Sequence, residues 1–231
     1  MTPIVFLPGM MCDARLFAPQ IAALSARRMV SVAPIGGFAT MTELAQDVLQ
    51  DAPPRFALAG LSMGGILAME VTRLAPERIA GLALMDTNPL AELEAVKAKR
   101  GPQIEMVQNG QLRDVMRDQM IPNYLAEGSD AATLELICED MALALGDEVF
   151  INQSIALRDR PDQSDTLKSY RAPALVLCGK EDRLCPIARH ELMHDLLPNS
   201  TLNILPDAGH LPTLEQPEAT TAALKEWLDL L

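Results

Sequence analysis

Short apolar runs alternate along the chain with longer stretches in which apolar residues recur every three or four positions. The first run, residues 3–7, ends at Pro8-Gly9 and reads as a buried strand. Residues 13–26 read as a helix, with Asp13 as N-cap and Leu16, Ile21 and Leu24 forming a stripe. Residues 29–33 form a second short strand, and Gly36-Gly37 opens a loop. Thr40 or Thr42 caps a helix that runs to about Asp51, where Pro53-Pro54 stops it. Residues 55–60 make a third strand, which runs straight into a helix carrying Leu67, Val71 and Leu74. Residues 79–85 are a fourth strand. Unbroken apolar strands separated by helices predict a parallel sheet covered on both faces.

The rhythm changes at Asn88-Pro89. Residues 88–168 hold helical patterns and no convincing strand, interrupted at Gly101-Pro102 and Gly128. This segment reads as a helical insertion, a cap over a core built from residues 1–87 and 169–231. Its charge clusters include Lys97, Lys99 and Arg100, then Arg113 and Arg117, then Arg158 and Arg160. They read as solvated helix faces, with contact to an acidic substrate as the other reading. The strand rhythm resumes at residues 174–178, with a helix over about 186–196, a strand at 201–205 and a last helix over about 213–230. The sheet is expected to hold about six strands.

Composition narrows the function. Of 231 residues 49% are apolar, too many for a disordered chain, and the length suits one core with an insertion. Lys and Arg number 19 against 31 Asp and Glu, a net charge of −12 with few aromatics, which excludes a nucleic-acid binder and an anionic membrane surface as partners. No run approaches the roughly 18 apolar residues of a membrane span. The N-terminal apolar stretch lacks a basic region before it, so a cytoplasmic location is expected. The four cysteines form no C-x-x-C pair and read as reduced, small apolar residues.

The strongest chemical signal is Gly60-Leu61-Ser62-Met63-Gly64, a G-x-S-x-G pattern between a buried strand and a helix. Such a turn strains the backbone at the serine and leaves no room for side chains two residues away on either side. It pushes the serine hydroxyl out at the carboxyl edge of the sheet, where open α/β sheets bind ligands. A serine alcohol needs a base. The chain has three histidines, and only His210 lies in a loop that returns to that edge; His190 and His194 lie on a helix. The histidine needs an orienting acid. Asp182, in Gly179-x-x-Asp182 after the fifth strand, is favoured over Asp86 and Asp207, and Glu181 reads as a solvated loop charge. The oxyanion donors are expected to be the backbone amides of Met63, just after the nucleophile, and Met10, after the first strand.

A rival motif, His190-Glu191-Leu192-Met193-His194, matches H-E-x-x-H of zinc proteases. The extended form fails at positions 197 and 200, and Pro198 ends the helix; Glu215 or Glu218 would have to supply a third ligand. It reads as a coincidence on a solvated helix face. There is no dinucleotide or phosphate-loop fingerprint, so neither cofactor nor metal is expected.

Four segments carry a family resemblance: Leu7-Pro8-Gly9, Gly60 to Gly65, Gly179 to Asp182, and Ala208 to Pro217. Together they frame nearly the whole chain outside the insertion, and they resemble the small bacterial members of the α/β-hydrolase superfamily. Two departures stand out. Pro8-Gly9 replaces the usual His-Gly of the oxyanion loop, and the chain begins at the strand the family usually counts third. The resemblance implies a serine hydrolase, monomeric or dimeric, cleaving a small ester, thioester or lactone through an acyl-enzyme. Carbon–carbon bond hydrolysis or elimination by the same triad is the alternative, and a non-catalytic binding protein on this scaffold is a third. The shortage of aromatics predicts a pocket lined by Met, Leu, Ile and Ala, with Met10, Met11 and Met63 beside the triad.

Overall fold

The structure, a computed structural model, describes residues 1–128 and 130–231. Residue 129, inside the expected insertion, lies outside the described residues.

Six strands form one parallel sheet: β1 (Ile4–Leu7), β2 (Val30–Val32), β3 (Phe56–Leu61), β4 (Ile79–Met85), β5 (Ala174–Gly179) and β6 (Ser200–Leu205). Their order is β2-β1-β3-β4-β5-β6. The four inner strands are buried along their whole length, and this is why they read as unbroken apolar runs. The two edge strands are half exposed and tolerate Ser31, Ser200 and Asn203. Chain direction reverses once, after β2. A right-handed crossover therefore puts the β1–β2 helix on one face and the later crossover helices on the other. The first face holds α1 (Ala18–Leu24) and the C-terminal helix. The second holds α2 (Met41–Asp51), α3 (Met63–Leu74) and, over β5 and β6, α8 (Ile187–Leu196).

The expected caps at Asp13 and Thr40 are present. Asp13 accepts from the Arg15 amide, and Thr40 accepts from Glu43. The expected helix over 13–26 is instead a short 3₁₀ turn (Ala14–Phe17) followed by α1, because Pro19 restarts the helix in its first turn. The last helix is likewise divided, into α9 (Pro212–Glu215) and α10 (Pro217–Leu228), at Pro217.

Between β4 and β5 lie α4 (Glu94–Gln108), α5 (Leu112–Val115), a π-helical turn (Met116–Met120), a 3₁₀ turn (Ile121–Asn123), α6 (Ala131–Arg158) and α7 (Ser164–Ser169). No strand occurs there among the described residues. Gly101-Pro102 does not interrupt α4, contrary to expectation. Glycine before proline removes the Cβ that would clash with the proline ring and so keeps the helical region open. The break comes instead inside α6, at Gly146, whose φ of 82° puts it outside the helical region. Where the segment rejoins the sheet, buried Glu70 of α3 binds Arg73, Thr42 and Gln163. These partners, Arg73 foremost, bring its carboxyl down to about 2. No helix of the described residues is long and apolar enough to cross a membrane.

The rival H-E-x-x-H pair does not converge on one point. His190 is fully buried, and its Nε2 accepts the Thr87 amide at 3.1 Å, which pins the loop after β4. His194 turns to the Ser200 hydroxyl at 2.8 Å. The expected solvated face is therefore wrong for His190, because α8 packs that ring against the sheet edge.

Two predictions follow from the packing. A Cβ added to Gly64 would sit 2.0 Å from the Leu7 carbonyl oxygen, whereas one added to Gly37 meets nothing within 4 Å. Gly64→Ala should cost about 3 kcal/mol or more and Gly37→Ala less than about 0.5 kcal/mol, read from denaturant midpoints. Burial pulls the His190 ring down from 6.5 to about 4, against a smaller upward pull from Asp182. Between those values the unfolded chain binds a proton that the folded chain refuses, so stability falls as pH drops from 6.5 to 4. The contribution is on the order of 3 kcal/mol. Denaturation midpoints of His190→Gln should fall less steeply over this window than those of the parent; equal slopes would contradict the assignment.

Candidate active site

The site is built at the turn from β3 to α3. Ser62 has φ 55° and ψ −117°, a strained geometry for any residue with a Cβ. The surrounding contacts fix it there. Its amide donates to the Met85 carbonyl at 2.9 Å, and its carbonyl accepts from the Thr87 hydroxyl at 2.7 Å. The close approach of α3 to β1 and β3 depends on Gly60 and Gly64. A Cβ at Gly60 would lie 2.2 Å from the Gly64 oxygen.

Three side chains expected from the sequence meet at this edge. His210 Nε2 lies 2.8 Å from Ser62 Oγ, and His210 Nδ1 lies 2.9 Å from Asp182 Oδ2. Asp182 also accepts the amides of Leu184 at 2.8 Å and Cys185 at 3.0 Å through Oδ1. Burial raises this carboxyl, but His210 and the two amides outweigh burial and hold it below the ordinary carboxylate range. The rival acids stand apart from His210. Asp86 is buried and accepts the Gly179 amide at 2.8 Å, and burial and the Asp182 charge push its carboxyl well above the usual range. Asp207 is exposed on a left-handed turn with φ 55°. Glu181 is exposed.

The amides of Met10 and Met63 have no acceptor among the described residues. The neighbouring amides are both used. Cys12 donates to the Gly9 carbonyl at 3.1 Å, and Met11 donates to Gln153 Oε1 at 2.8 Å. Gln153 is a residue that sequence reasoning missed. It reaches from α6, and its Nε2 also donates to the Ile35 carbonyl at 3.1 Å, so one buried amide side chain ties two loops at the sheet edge. Glu215, considered above only as a metal ligand, is another such residue. Its carboxylate accepts the amides of Gly209 at 2.9 Å, Leu211 at 3.1 Å and Ala126 at 2.7 Å, and so brackets His210. Burial nonetheless raises its carboxyl above the usual range. The His210 amide itself donates to the Tyr124 carbonyl at 2.6 Å. Gln153 has no local sequence signal, because it lies 142 residues from the Met11 amide it holds, whereas Glu215 lies only four residues beyond Leu211.

A cavity of about 520 Å³ opens beside Ser62 and His210. Met10 lines it, but Met11 and Met63 do not; both point into the core, at 0% and 1% exposure. Tyr124 supplies an aromatic wall, with its ring 5.9 Å from that of His210. Cys185 also lines the cavity, so it is not merely an apolar filler. All four thiols are unpaired. Cys185, Asp182 and His210 offer ligand atoms within 4.8 Å of one another, the geometry of a small metal site. The chemistry fits poorly. Burial and the Asp182 charge push the Cys185 thiol well up, and both His210 nitrogens already have partners.

The insertion's charges divide. Arg113, Arg117 and Arg158 are surface groups, each in an ion pair. Arg100 and Arg160 depart from the expected solvated face. They line the cavity and converge on buried Glu92.

The alpha/beta hydrolase family model matches residues 4–224. Pimeloyl-[acyl-carrier protein] methyl ester esterase of Edwardsiella ictaluri is 27% identical, across 98% of this chain and 93% of that protein. A thermophilic esterase from Thermogutta terrifontis superposes with a TM-score of 0.91 at 30% identity, covering 99% of this chain and 90% of that one. The enol-lactonase from Burkholderia xenovorans LB400 shares the fold, with a TM-score of 0.85 at 22% identity over 99% of this chain and 92% of that one. With residues 4–224, nearly its whole length, matched by the family model, this chain belongs to the alpha/beta hydrolase family.

Proposed function

We propose that the protein is a serine hydrolase of a small carboxylic ester, thioester or lactone, with Ser62 as nucleophile, His210 as general base and acid, and Asp182 as the residue that orients the imidazole. The observation that carries this reading is the unbroken chain of contacts from Asp182 through His210 to Ser62. Ser62 Oγ attacks the carbonyl carbon and its proton passes to His210 Nε2. The carbonyl oxygen gains negative charge and is met by the free amides of Met10 and Met63. The α3 N-terminus adds its positive dipole there. Collapse of the tetrahedral intermediate expels the alcohol, thiol or ring oxygen, which takes the proton from His210. Water, deprotonated by the same nitrogen, then releases the acid from Ser62.

The relatives' names favour esters among the three substrate classes: two are esterases, and one esterase acts on a methyl ester. The insertion, residues 88–168, acts in this reading as a cap. It supplies Tyr124, Arg100 and Arg160 to the cavity and Gln153 to the oxyanion loop.

Ser62→Ala should lower p-nitrophenyl butyrate turnover by a factor on the order of 10⁴ or more, and a fluorophosphonate should label Ser62 alone. Full activity in that variant would sink the proposal. Gln153→Leu strips the buried Met11 amide of its acceptor. It should cost about 1–3 kcal/mol of stability and lower kcat by about 10-fold with KM little changed. A rise in KM at constant kcat would place Gln153 in substrate binding instead.

A further inference from the structure

The cavity beside Ser62 has a charge pattern opposite to that of the chain. The protein carries a net charge of −12, yet among the described residues the cavity is lined by four cationic side chains, Lys99, Arg100, Arg160 and Arg189, against one carboxylate, Glu92. The two arginines are the buried part of this set. Arg100 gives its Nε and Nη2 to Glu92, the latter at 2.8 Å. Arg160 gives Nη1 to the same carboxylate at 2.5 Å and Nε to the Leu90 carbonyl at 3.0 Å. Side-chain exposures are 10% for Arg100, 8% for Arg160 and 3% for Glu92.

Two guanidinium ions on one carboxylate leave a surplus positive charge in a largely dry place. An uncompensated buried charge is expensive, and a clamp meant only to join the ends of the insertion would not need it. The surplus also has a direction. The remaining donor group of Arg100, Nη1, meets only the Met10 sulfur, at 3.9 Å, and a thioether is a weak acceptor. Met10 is the residue whose free backbone amide stands beside Ser62, so this donor lies one side chain beyond the reacting centre. The cavity lining includes the apolar side chains of Met10, Ile66, Leu93, Val96 and Met120, beside polar Asn88, Gln103, Gln119 and Asn123. Apolar lining together with a guanidinium fork in one cavity matches an acyl chain that ends in an anion.

We infer that the cavity selects acyl groups bearing a second, free carboxylate at the end remote from the scissile bond, the half-esters of dicarboxylic acids, with Arg100 as the binding residue and Glu92 and Arg160 holding its guanidinium in place. This deepens the proposed hydrolase reading and rests on it. Lys99 and Arg189, which also line the cavity and are less buried, draw the anion toward it in a protein whose overall charge repels it.

The test compares mono-p-nitrophenyl adipate with p-nitrophenyl hexanoate, which have the same carbon count and differ in the terminal carboxylate. The parent protein should show the higher kcat/KM on the adipate, with the preference shrinking as salt rises. Arg100→Met should lower the adipate-to-hexanoate ratio by about 10–100-fold, the loss expected for a hydrogen bond to a charged group. A clamp with no binding role would lower both rates alike; an unchanged ratio therefore overturns the inference. Should Arg100→Met fail to fold, product inhibition of the parent decides. Free adipate should inhibit hexanoate-ester hydrolysis at least 10-fold more strongly than hexanoate does, and equal inhibition overturns the inference. Inorganic phosphate inhibiting as well as adipate would also overturn it, since it would mark a bare anion site rather than one fitted to an acyl carboxylate. Activity surviving in Ser62→Ala would instead sink the triad reading beneath it.

Discussion

The approach of the α3 backbone to the end of β1 is the constraint from which the rest of the site follows. At Gly64 there is no room for one methyl group against the Leu7 carbonyl, and at Gly60 none against Gly64 itself. That tightness lets the chain pass from strand to helix across one residue and forces Ser62 into a positive φ. It also brings the loop after β1, with the Met10 amide, beside the first amide of the helix. A looser turn would bury the hydroxyl among the strands or carry it away from the loop. The strain is held by inner strands that are buried from end to end and by hydrogen bonds to both the amide and the carbonyl of Ser62.

Around this turn the loops are fixed by buried polar side chains. Glu215 holds the His210 loop through the Gly209 and Leu211 amides and ties it to Ala126, Gln153 holds the loop after β1 through Met11, and His190 holds the loop after β4 through Thr87. Each of these side chains faces backbone N–H groups that the sheet edge leaves without a ladder partner. Burying such donors unpaired would be costly, so the edge is stable only with its acceptors in place. Burial keeps His190 neutral against a smaller opposing pull from Asp182, whereas burial and the Asp182 charge act together to push the Asp86 carboxyl well above the usual range. Asp182 keeps its charge because His210 and two amides face it.

The helical segment between β4 and β5 has two relations to this edge. Through Gln153 and the Tyr124 carbonyl it takes part in positioning the loops. Through Arg100, Arg160 and Glu92 it gives the cavity a sign opposite to that of the chain. Net charge read from composition sets the average field just outside the molecule, which salt screens within about a Debye length. The field inside a cavity is set by the few charges that line it, because low dielectric and exclusion of salt leave them unscreened.

The sequence by itself determined the parallel sheet, its six strands and their boundaries to within about a residue, since fully buried strands must be apolar throughout. It also determined the serine turn, since Gly60 and Gly64 follow from local sterics, and it singled out His210 because loops after parallel strands return to one edge. It misread elements where a single residue acts in context, such as Pro102, which α4 accommodates behind Gly101, and Pro217, which divides the last helix. What only the tertiary structure decided were long-range pairings. Asp182 rather than Asp86 faces His210, Met11 and Met63 turn inward while Met10 faces the cavity, and Arg100 and Arg160 leave the solvent for Glu92. Periodicity reports which face of an element is buried. It carries nothing about which distant side chain meets that face, and the direction of a charge is settled only there.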